Sequence, residues 1–165
     1  MKSALLCLAL LCLSSLANAQ ALWRDVPAGL SPAEVGGRMS EVRPADPATL
    51  ADEPRALLEI PSVEIAGGDF AVRFLFENER LVQVALRADT GSAAEARALA
   101  QRLYSSLRSR YGLELSNTSR GAPAPTTAYE KRWQFRRTTV NLQVVEERRV
   151  LLTYGVQAPR RSDAL

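Results

Sequence analysis

Alternating hydrophobic and polar residues organise this chain, and residues 69–87 carry the clearest pattern. Apolar residues two apart face one side of a β-strand. Two such runs occur here on either side of a polar interval: Phe70, Val72, Phe74 and Phe76, then Val82, Val84 and Leu86. The interval holds Asn78, which tolerates the positive φ of a tight turn. The pattern predicts a β-hairpin that supplies the largest share of the core.

Two stretches carry the start signals of helices. Ser31 and Glu34 form a capping-box pattern around Pro32, and Ser92 and Glu95 form a second one. The first helix is expected to be short, because Gly36 and Gly37 weaken its interior. The second continues to a stop at Gly112 with apolar residues at helical spacing: Ala96, Leu99, Ala100, Leu103, Leu107 and Tyr111.

The other segments divide into strands and loops. Residues 57–66 predict an edge strand or a bulged strand, because Pro61 interrupts the apolar alternation. Residues 129–156 alternate as three strands of a second meander. Residues 43–54 are predicted to form a loop with one helical turn over 47–51. Residues 114–128 are predicted to form a mobile loop, and residues 159–165 a flexible tail. Trp23 is interpreted as a core anchor for the N-terminal segment, with a surface binding role as the alternative.

The element order is helix, three strands, helix, three strands. It predicts an α+β fold in a single domain over residues 20–158, with pseudo-repeats at about 23–90 and 91–157. In this tandem α-β-β-β arrangement, the two antiparallel meanders form one curved sheet with both helices on one face.

Residues 1–19 have the features of a secretory signal peptide. Lys2 precedes a short apolar run, and the segment ends in an Ala-x-Ala pattern at Ala19. The run is shorter than the roughly 20 residues of a membrane anchor. Lipidation is not expected, because leucines precede Cys7 and Cys12. We expect cleavage near Ala19 and a periplasmic or secreted protein of a Gram-negative bacterium. The preference for Arg over Lys is typical of a GC-rich bacterial genome.

The residue types that remain after cleavage exclude several chemistries. The chain has no His, and both Cys residues lie in the predicted signal peptide. Zinc sites, thiol nucleophiles, haem attachment and Ser-His-Asp triads are therefore not expected. No catalytic residue, metal or cofactor is predicted. The acidic pairs at Asp52-Glu53, Glu77/Glu79 and Glu146-Glu147 leave a carboxylate-based hydrolase of cell-wall or glycan material as an alternative.

Charge is divided unevenly along the chain. Residues 20–96 hold 7 Arg against 13 Asp and Glu, whereas residues 97–165 hold 12 Arg and one Lys against 5 acidic residues. Such asymmetry favours an anionic partner, although a solvated basic face explains it equally well. Arginine side chains fit phosphates and carboxylates, because the guanidinium group presents a planar fork of N–H donors. The candidate binding residues are the basic residues clustered around the second meander: Lys131, Arg132, Arg136, Arg137, Arg148 and Arg149.

The stretch from Gly29 through Leu30, Ser31, Pro32, Ala33 and Glu34 to Val35, with strands following, resembles the helix start of two periplasmic families. These are the BamE/SmpA outer-membrane assembly lipoproteins and the β-lactamase inhibitor proteins, both with helix-plus-meander folds. The tandem arrangement is closer to the inhibitors. The resemblance implies a non-enzymatic, protein-binding role in the envelope. The chain departs from the first family in lacking the lipid-bearing Cys, and from the second in lacking disulfides.

These observations predict an exported protein without enzymatic activity that binds an envelope protein or an anionic lipid or glycan. Export argues against nucleic acid as the partner. Besides the hydrolase, a self-associating structural role remains open, in which the acidic half of one copy docks on the basic half of another.

Overall fold

A computed structural model describes residues 21–115 and 127–156 of the chain. The predicted signal peptide over 1–19 and the predicted tail over 159–165 lie outside the described residues. Most of the loop predicted over 114–128 also lies outside them. The described residues form a mixed α+β fold.

Three helices and nine strands make up the described part of the chain. The helices are α1 (Pro32–Arg38), α2 (Pro47–Asp52) and α3 (Ala93–Tyr111). The strands are β1 (Ala21–Trp23), β2 (Val26–Pro27), β3 (Arg43–Pro44), β4 (Ala56–Ile65), β5 (Gly68–Glu77), β6 (Arg80–Asp89), β7 (Thr127–Phe135), β8 (Thr138–Val145) and β9 (Arg149–Val156). The helical turn predicted over 47–51 is present as α2.

The predicted capping residues begin both main helices. In α1, the Ser31 side chain accepts from the Glu34 amide at 3.3 Å, and the Ser31 amide donates to the Glu34 carboxylate at 2.8 Å. In α3, Ser92 accepts from the Glu95 amide at 3.2 Å, but the Glu95 carboxylate accepts from the Gly91 amide. Each arrangement satisfies amides that the first helical turn leaves without backbone partners.

Seven strands form one antiparallel sheet in the order β3-β4-β5-β6-β9-β8-β7, and β1 and β2 form a separate hairpin. The two meanders meet where β6 pairs with β9, for example at Val84 opposite Tyr154 and Leu86 opposite Leu152. The α+β class and the antiparallel sheet are thus confirmed. The internal repeat, the curvature of the sheet and the placement of both predicted helices on one face stay predictions.

One face of this sheet carries the core. A row of directly paired residues crosses five strands on that face, and each member is buried: Phe74, Val84, Tyr154, Val140 and Trp133. The buried side of α3, with Leu99, Leu103 and Leu107, belongs to the same core. The β1-β2 hairpin adds Trp23, whose ring meets the Phe74 ring edge-on at 6.1 Å. Trp23 is 8% exposed, as expected for a core anchor.

The other face of the sheet carries polar side chains, because successive residues in a strand point to opposite sides. Glu59 and Arg73 are paired across β4 and β5 on this face. Thr49 of α2 donates to Glu59 at 2.8 Å, and Asp52 accepts from Arg73 at 2.7 Å. Helix α2 therefore contacts the polar face, opposite to the face that α3 covers.

The hairpin predicted over 69–87 is present, with one change in its core pattern. Asn78 and Glu79 form the turn, with φ values of 48° and 59°. A register shift follows, because Phe76 pairs with Leu81 whereas Leu75 pairs with Gln83. Val82 is the extra residue of this bulge. Leu81 is consequently buried and Val82 only half-buried, so the prediction that Val82 joins Val84 in the core was wrong.

Candidate anion-binding site

Four of the six predicted binding residues lie at opposite ends of the second meander, and the other two lie within strand β7. Arg136 and Arg137 form the turn between β7 and β8, whereas Arg148 and Arg149 lie where β8 turns into β9. Strand β8 has eight residues and separates these turns by about 24 Å. Lys131 and Arg132 lie on β7, on opposite faces of the sheet. One compact site therefore cannot use all six residues.

Lys131 is bound within the protein. Its ammonium group lies 3.2 Å from the Glu114 carboxylate and 5.6 Å from the centre of the Tyr104 ring. The pKa of Glu114 is lowered by its own backbone N–H, by Lys131 and by the Tyr104 hydroxyl, against the effect of desolvation. This contact ties the segment after α3 to strand β7. We interpret Lys131 as a structural residue.

Arg132 and Arg149 also have carboxylate partners. Arg132 lies 2.9 Å from Glu130 on the same strand. Arg149 lies 2.7 Å from Asp89 and 3.0 Å from Glu146. Desolvation raises the pKa of Asp89, but hydrogen bonds from Arg149 and Arg87 outweigh it, so this pKa is lowered. The pairs neutralise much of the charge at the Arg149 end of the meander.

Arg136 and Arg137 differ from these residues. Both side chains are exposed, and within residues 21–115 and 127–156 no carboxylate oxygen lies within 4 Å of either guanidinium. Seven other arginines in this part of the chain do form ion pairs: Arg24, Arg43, Arg55, Arg73, Arg87, Arg132 and Arg149. The β7-β8 turn thus presents two guanidinium forks that the described acidic residues leave available.

The C-terminal end of α3 adds a third arginine to this region. The Arg110 guanidinium lies 5.7 Å from the Tyr111 ring centre, and the Tyr111 and Phe135 rings are 6.1 Å apart. Arg136 lies 5.5 Å from the Phe135 ring centre. Arg110 likewise has no ion pair within the described residues. We call the group of Arg110, Tyr111, Phe135, Arg136 and Arg137 the basic end.

Backbone contacts hold the two parts of the basic end together. Helix α3 stops at Gly112, which adopts a φ of 81°. The buried Trp133 indole N–H donates to the Gly112 carbonyl at 3.1 Å, and the Leu115 amide donates to the Arg132 carbonyl at 2.7 Å. These bonds fix the end of α3 beside the end of β7. They explain how residues 24 positions or more apart form one surface.

Sequence reasoning found only part of this surface. Arg110 is not among the six candidates, because Arg97, Arg102, Arg108 and Arg110 all lie off the apolar positions of α3, as solvated arginines commonly do. The structure separates these residues. Arg102 donates to the Ala66 carbonyl at 2.7 Å and Arg108 to the Tyr104 hydroxyl at 2.9 Å, whereas Arg110 joins the β7-β8 turn. No signal within the helix distinguishes them.

A cleft of about 360 Å³ bears on the hydrolase alternative. Asp69, Asp89, Glu95 and Arg102 line it, between the start of β5 and the N-terminal half of α3. A hydrolase of this kind needs one carboxyl group that keeps its proton. The lowered pKa of Asp89 favours the ionised form, and Glu95 is engaged by the Gly91 amide. The lowered pKa of Asp89 does not favour acid catalysis by this group.

Within residues 21–115 and 127–156, no three His, Cys, Asp or Glu side chains are grouped as a metal site would require. Of the helices in the same ranges, none has the length and apolar composition needed to span a membrane.

The chain matches no protein-family model, no curated protein and no solved structure. The resemblance to the helix-plus-meander families stays a prediction.

Proposed function

We propose that this is a non-enzymatic protein of the bacterial envelope, exported to the periplasm, that binds an anionic component of the envelope through its basic end. The observation that carries the proposal is that Arg110 and Arg136 lie against two linked aromatic rings, with Arg137 next to Arg136 in the same turn. Each of these arginines is without a carboxylate partner in the described residues.

The chemistry of arginine supports an anionic partner. A guanidinium presents planar N–H donors that match phosphate and carboxylate oxygens. The contacts with Tyr111 and Phe135 restrict where Arg110 and Arg136 point, so less side-chain entropy is lost on binding. Single solvated arginines are common on protein surfaces. Three arginines at one end of the sheet indicate an anion-binding surface more strongly than a single arginine does, because their electrostatic fields add.

The predicted export over residues 1–19 selects the partner class. A periplasmic protein meets lipid phosphates, glycan phosphates and acidic proteins, whereas it rarely meets nucleic acid. The absence of His and the engaged carboxylates of the cleft make binding a better-supported role than hydrolysis. Of the six residues predicted from the sequence, the proposal retains Arg136 and Arg137 and assigns the others to structural contacts or to the opposite end.

The first test compares two variants with equal changes in net charge. Arg110→Glu with Arg137→Glu reverses two charges at the basic end. Arg97→Glu with Arg148→Glu reverses one on the same helix and one in the opposite turn, also at arginines without described ion pairs. The protein is purified after export, its N-terminus is identified by mass spectrometry, and its affinity for inorganic polyphosphate is measured at low salt. We expect the first variant to lose at least about tenfold in affinity.

The control variant should stay within about twofold of the unmodified protein. Equal losses in both variants would mean that only net charge matters, and this would overturn the proposal. A complete lack of polyphosphate and lipid binding by the unmodified protein would overturn it as well. Sedimentation of the same samples tests self-association, which predicts a dimer that either charge reversal weakens.

Arg136 permits a variant that loses charge without loss of the fold. Its φ is 55°, a conformation that costs a residue with a Cβ roughly 1 kcal/mol and that Gly adopts freely. Arg136→Gly should therefore keep the free energy of unfolding unchanged or raise it by up to about 1 kcal/mol. The same variant should bind polyphosphate several-fold more weakly. Urea unfolding and the binding assay measure the two effects.

Arg137→Gly is the matched comparison, because the φ of Arg137 is not positive. Here Gly adds backbone entropy to the unfolded state without relieving strain, and a loss of about 0.5–1 kcal/mol is expected. Equal destabilisation by both glycines would contradict the account of the turn.

A further inference from the structure

Exposed apolar side chains accompany the arginines at the basic end. Among the described residues, six large apolar side chains are exposed: Leu50, Leu57, Leu113, Leu115, Phe135 and Val156. Leu113 is the most exposed at 74%, and Phe135 is 43% exposed. Four of the six lie in this region: Leu113 and Leu115 follow the end of α3, and Phe135 and Val156 are the last residues of β7 and β9. Apolar residues that gather in this way mark a surface that contacts a protein or a membrane.

Backbone contacts place the residues after α3 beside strand β7. The Gly112 carbonyl is bound by Trp133 and the Leu115 amide by the Arg132 carbonyl, so residues 112–115 run along the outer edge of β7. Leu113 lies between these two attachment points. Phe135 pairs with Thr138 across β7 and β8, and Thr138 pairs with Val156 across β8 and β9. This row places Phe135 and Val156 on the same side of the sheet as α3.

We infer that the basic end docks on the surface of an anionic phospholipid bilayer, with Leu113 and Phe135 inserted among the headgroups and the three arginines on lipid phosphates. This inference rests on the proposed function and names its ligand. A soluble phosphate would leave the exposed apolar surface of Leu113 and Phe135, 74% and 43% of their area, in water, whereas a bilayer surface takes up apolar groups and phosphate-bound arginines together.

The charge of the basic end suits an anionic lipid surface. Each basic side chain near an anionic membrane contributes roughly fivefold to binding, so three together give about 100-fold. The exposed apolar residues come from three segments, because Leu113 and Leu115 follow α3, Phe135 closes β7 and Val156 closes β9. The cleft described above lies by the N-terminal half of α3, at the other end of that helix.

Vesicle co-sedimentation tests the inference on the full chain purified after export. The vesicles are phosphatidylethanolamine with and without phosphatidylglycerol. Leu113→Ser with Phe135→Ser replaces the two apolar side chains that the inference places among the headgroups. Leu50→Ser with Leu57→Ser changes two side chains of 36% and 38% exposure on α2 and β4, and serves as the matched control.

We expect binding only to the vesicles with phosphatidylglycerol, a loss of about tenfold in the Leu113→Ser, Phe135→Ser variant, and little change in the control. Affinity for polyphosphate should be unchanged in the control and in Leu113→Ser alone, because the three arginines and both aromatic rings remain. The double variant also loses the Phe135 ring beside Arg136, so its affinity for polyphosphate should fall by no more than about fivefold. Equal vesicle binding by the two serine variants, or binding of polyphosphate but not vesicles, would overturn the inference and leave the proposed function standing. Failure to bind either probe would overturn both.

Discussion

Replacement of Trp133 by Ala is expected to cost about 3–5 kcal/mol of the free energy of unfolding. Trp133 is 1% exposed and has the largest fully buried side chain in the described core. Its ring lies 6.0 Å from the Tyr104 ring, and its indole N–H donates to the Gly112 carbonyl. The variant therefore leaves a large cavity and also an unpaired carbonyl where α3 ends.

Urea unfolding followed by circular dichroism measures this loss, with Trp133→Phe as the control. Phe retains most of the apolar volume but lacks the donor for Gly112, so we expect an intermediate loss of about 1–3 kcal/mol. The chain contains two tryptophans, so Trp23 remains as a fluorescent reporter in both variants. A loss below about 1 kcal/mol for Trp133→Ala would contradict the packing of α3 on β7.

Replacement of Trp23 by Ala is expected to cost about 3 kcal/mol. Trp23 packs edge-on against Phe74 at the start of the five-strand apolar row, and the Arg24 guanidinium lies 4.4 Å from its ring centre. The neighbouring backbone is joined to β6, because the Gly29 amide donates to the Leu81 carbonyl at 2.8 Å. The N-terminal hairpin should thus unfold together with the sheet.

Arg24→Ala is the matched control for Trp23→Ala. It removes the contact with the ring and an exposed ion pair with Glu41, which together are worth about 1 kcal/mol or less. A double variant with Trp133→Ala should show additive losses, because the two tryptophans lie on different parts of the core and share no ring contact. A small loss with two separate unfolding transitions would mean that the hairpin is not part of the cooperative unit.

The sequence by itself determined the elements whose signals are local. Period-two alternation gave the central hairpin and the second meander, and capping residues placed the starts of α1 and α3. The turn at Asn78 and the irregularity near Pro61 were also predictable, because each depends on the conformational preferences of one or two residues. The strand content and the α+β class follow from these elements.

Only the tertiary structure decided how the elements pair and which side chains meet. The bulge that buries Leu81 in place of Val82 depends on the partner strand, and the contact of α2 with the polar face depends on Glu59 and Arg73. Pairing of β6 with β9 joins residues that are far apart in sequence, and side-chain alternation is the same for any choice of neighbour.

The candidate site shows the same division. Composition and charge pointed to the basic second half, but fixed spacing along β8 separates Arg136 and Arg137 from Arg148 and Arg149. Glu114 and Asp89, the partners of Lys131 and Arg149, are 17 and 60 residues away in the sequence, whereas Glu130 lies two residues from Arg132. Arg110 reaches the basic end because a buried tryptophan holds the end of α3. Packing between segments that are distant in the sequence therefore determines which arginines lie together at the basic end, and no local sequence pattern indicates it.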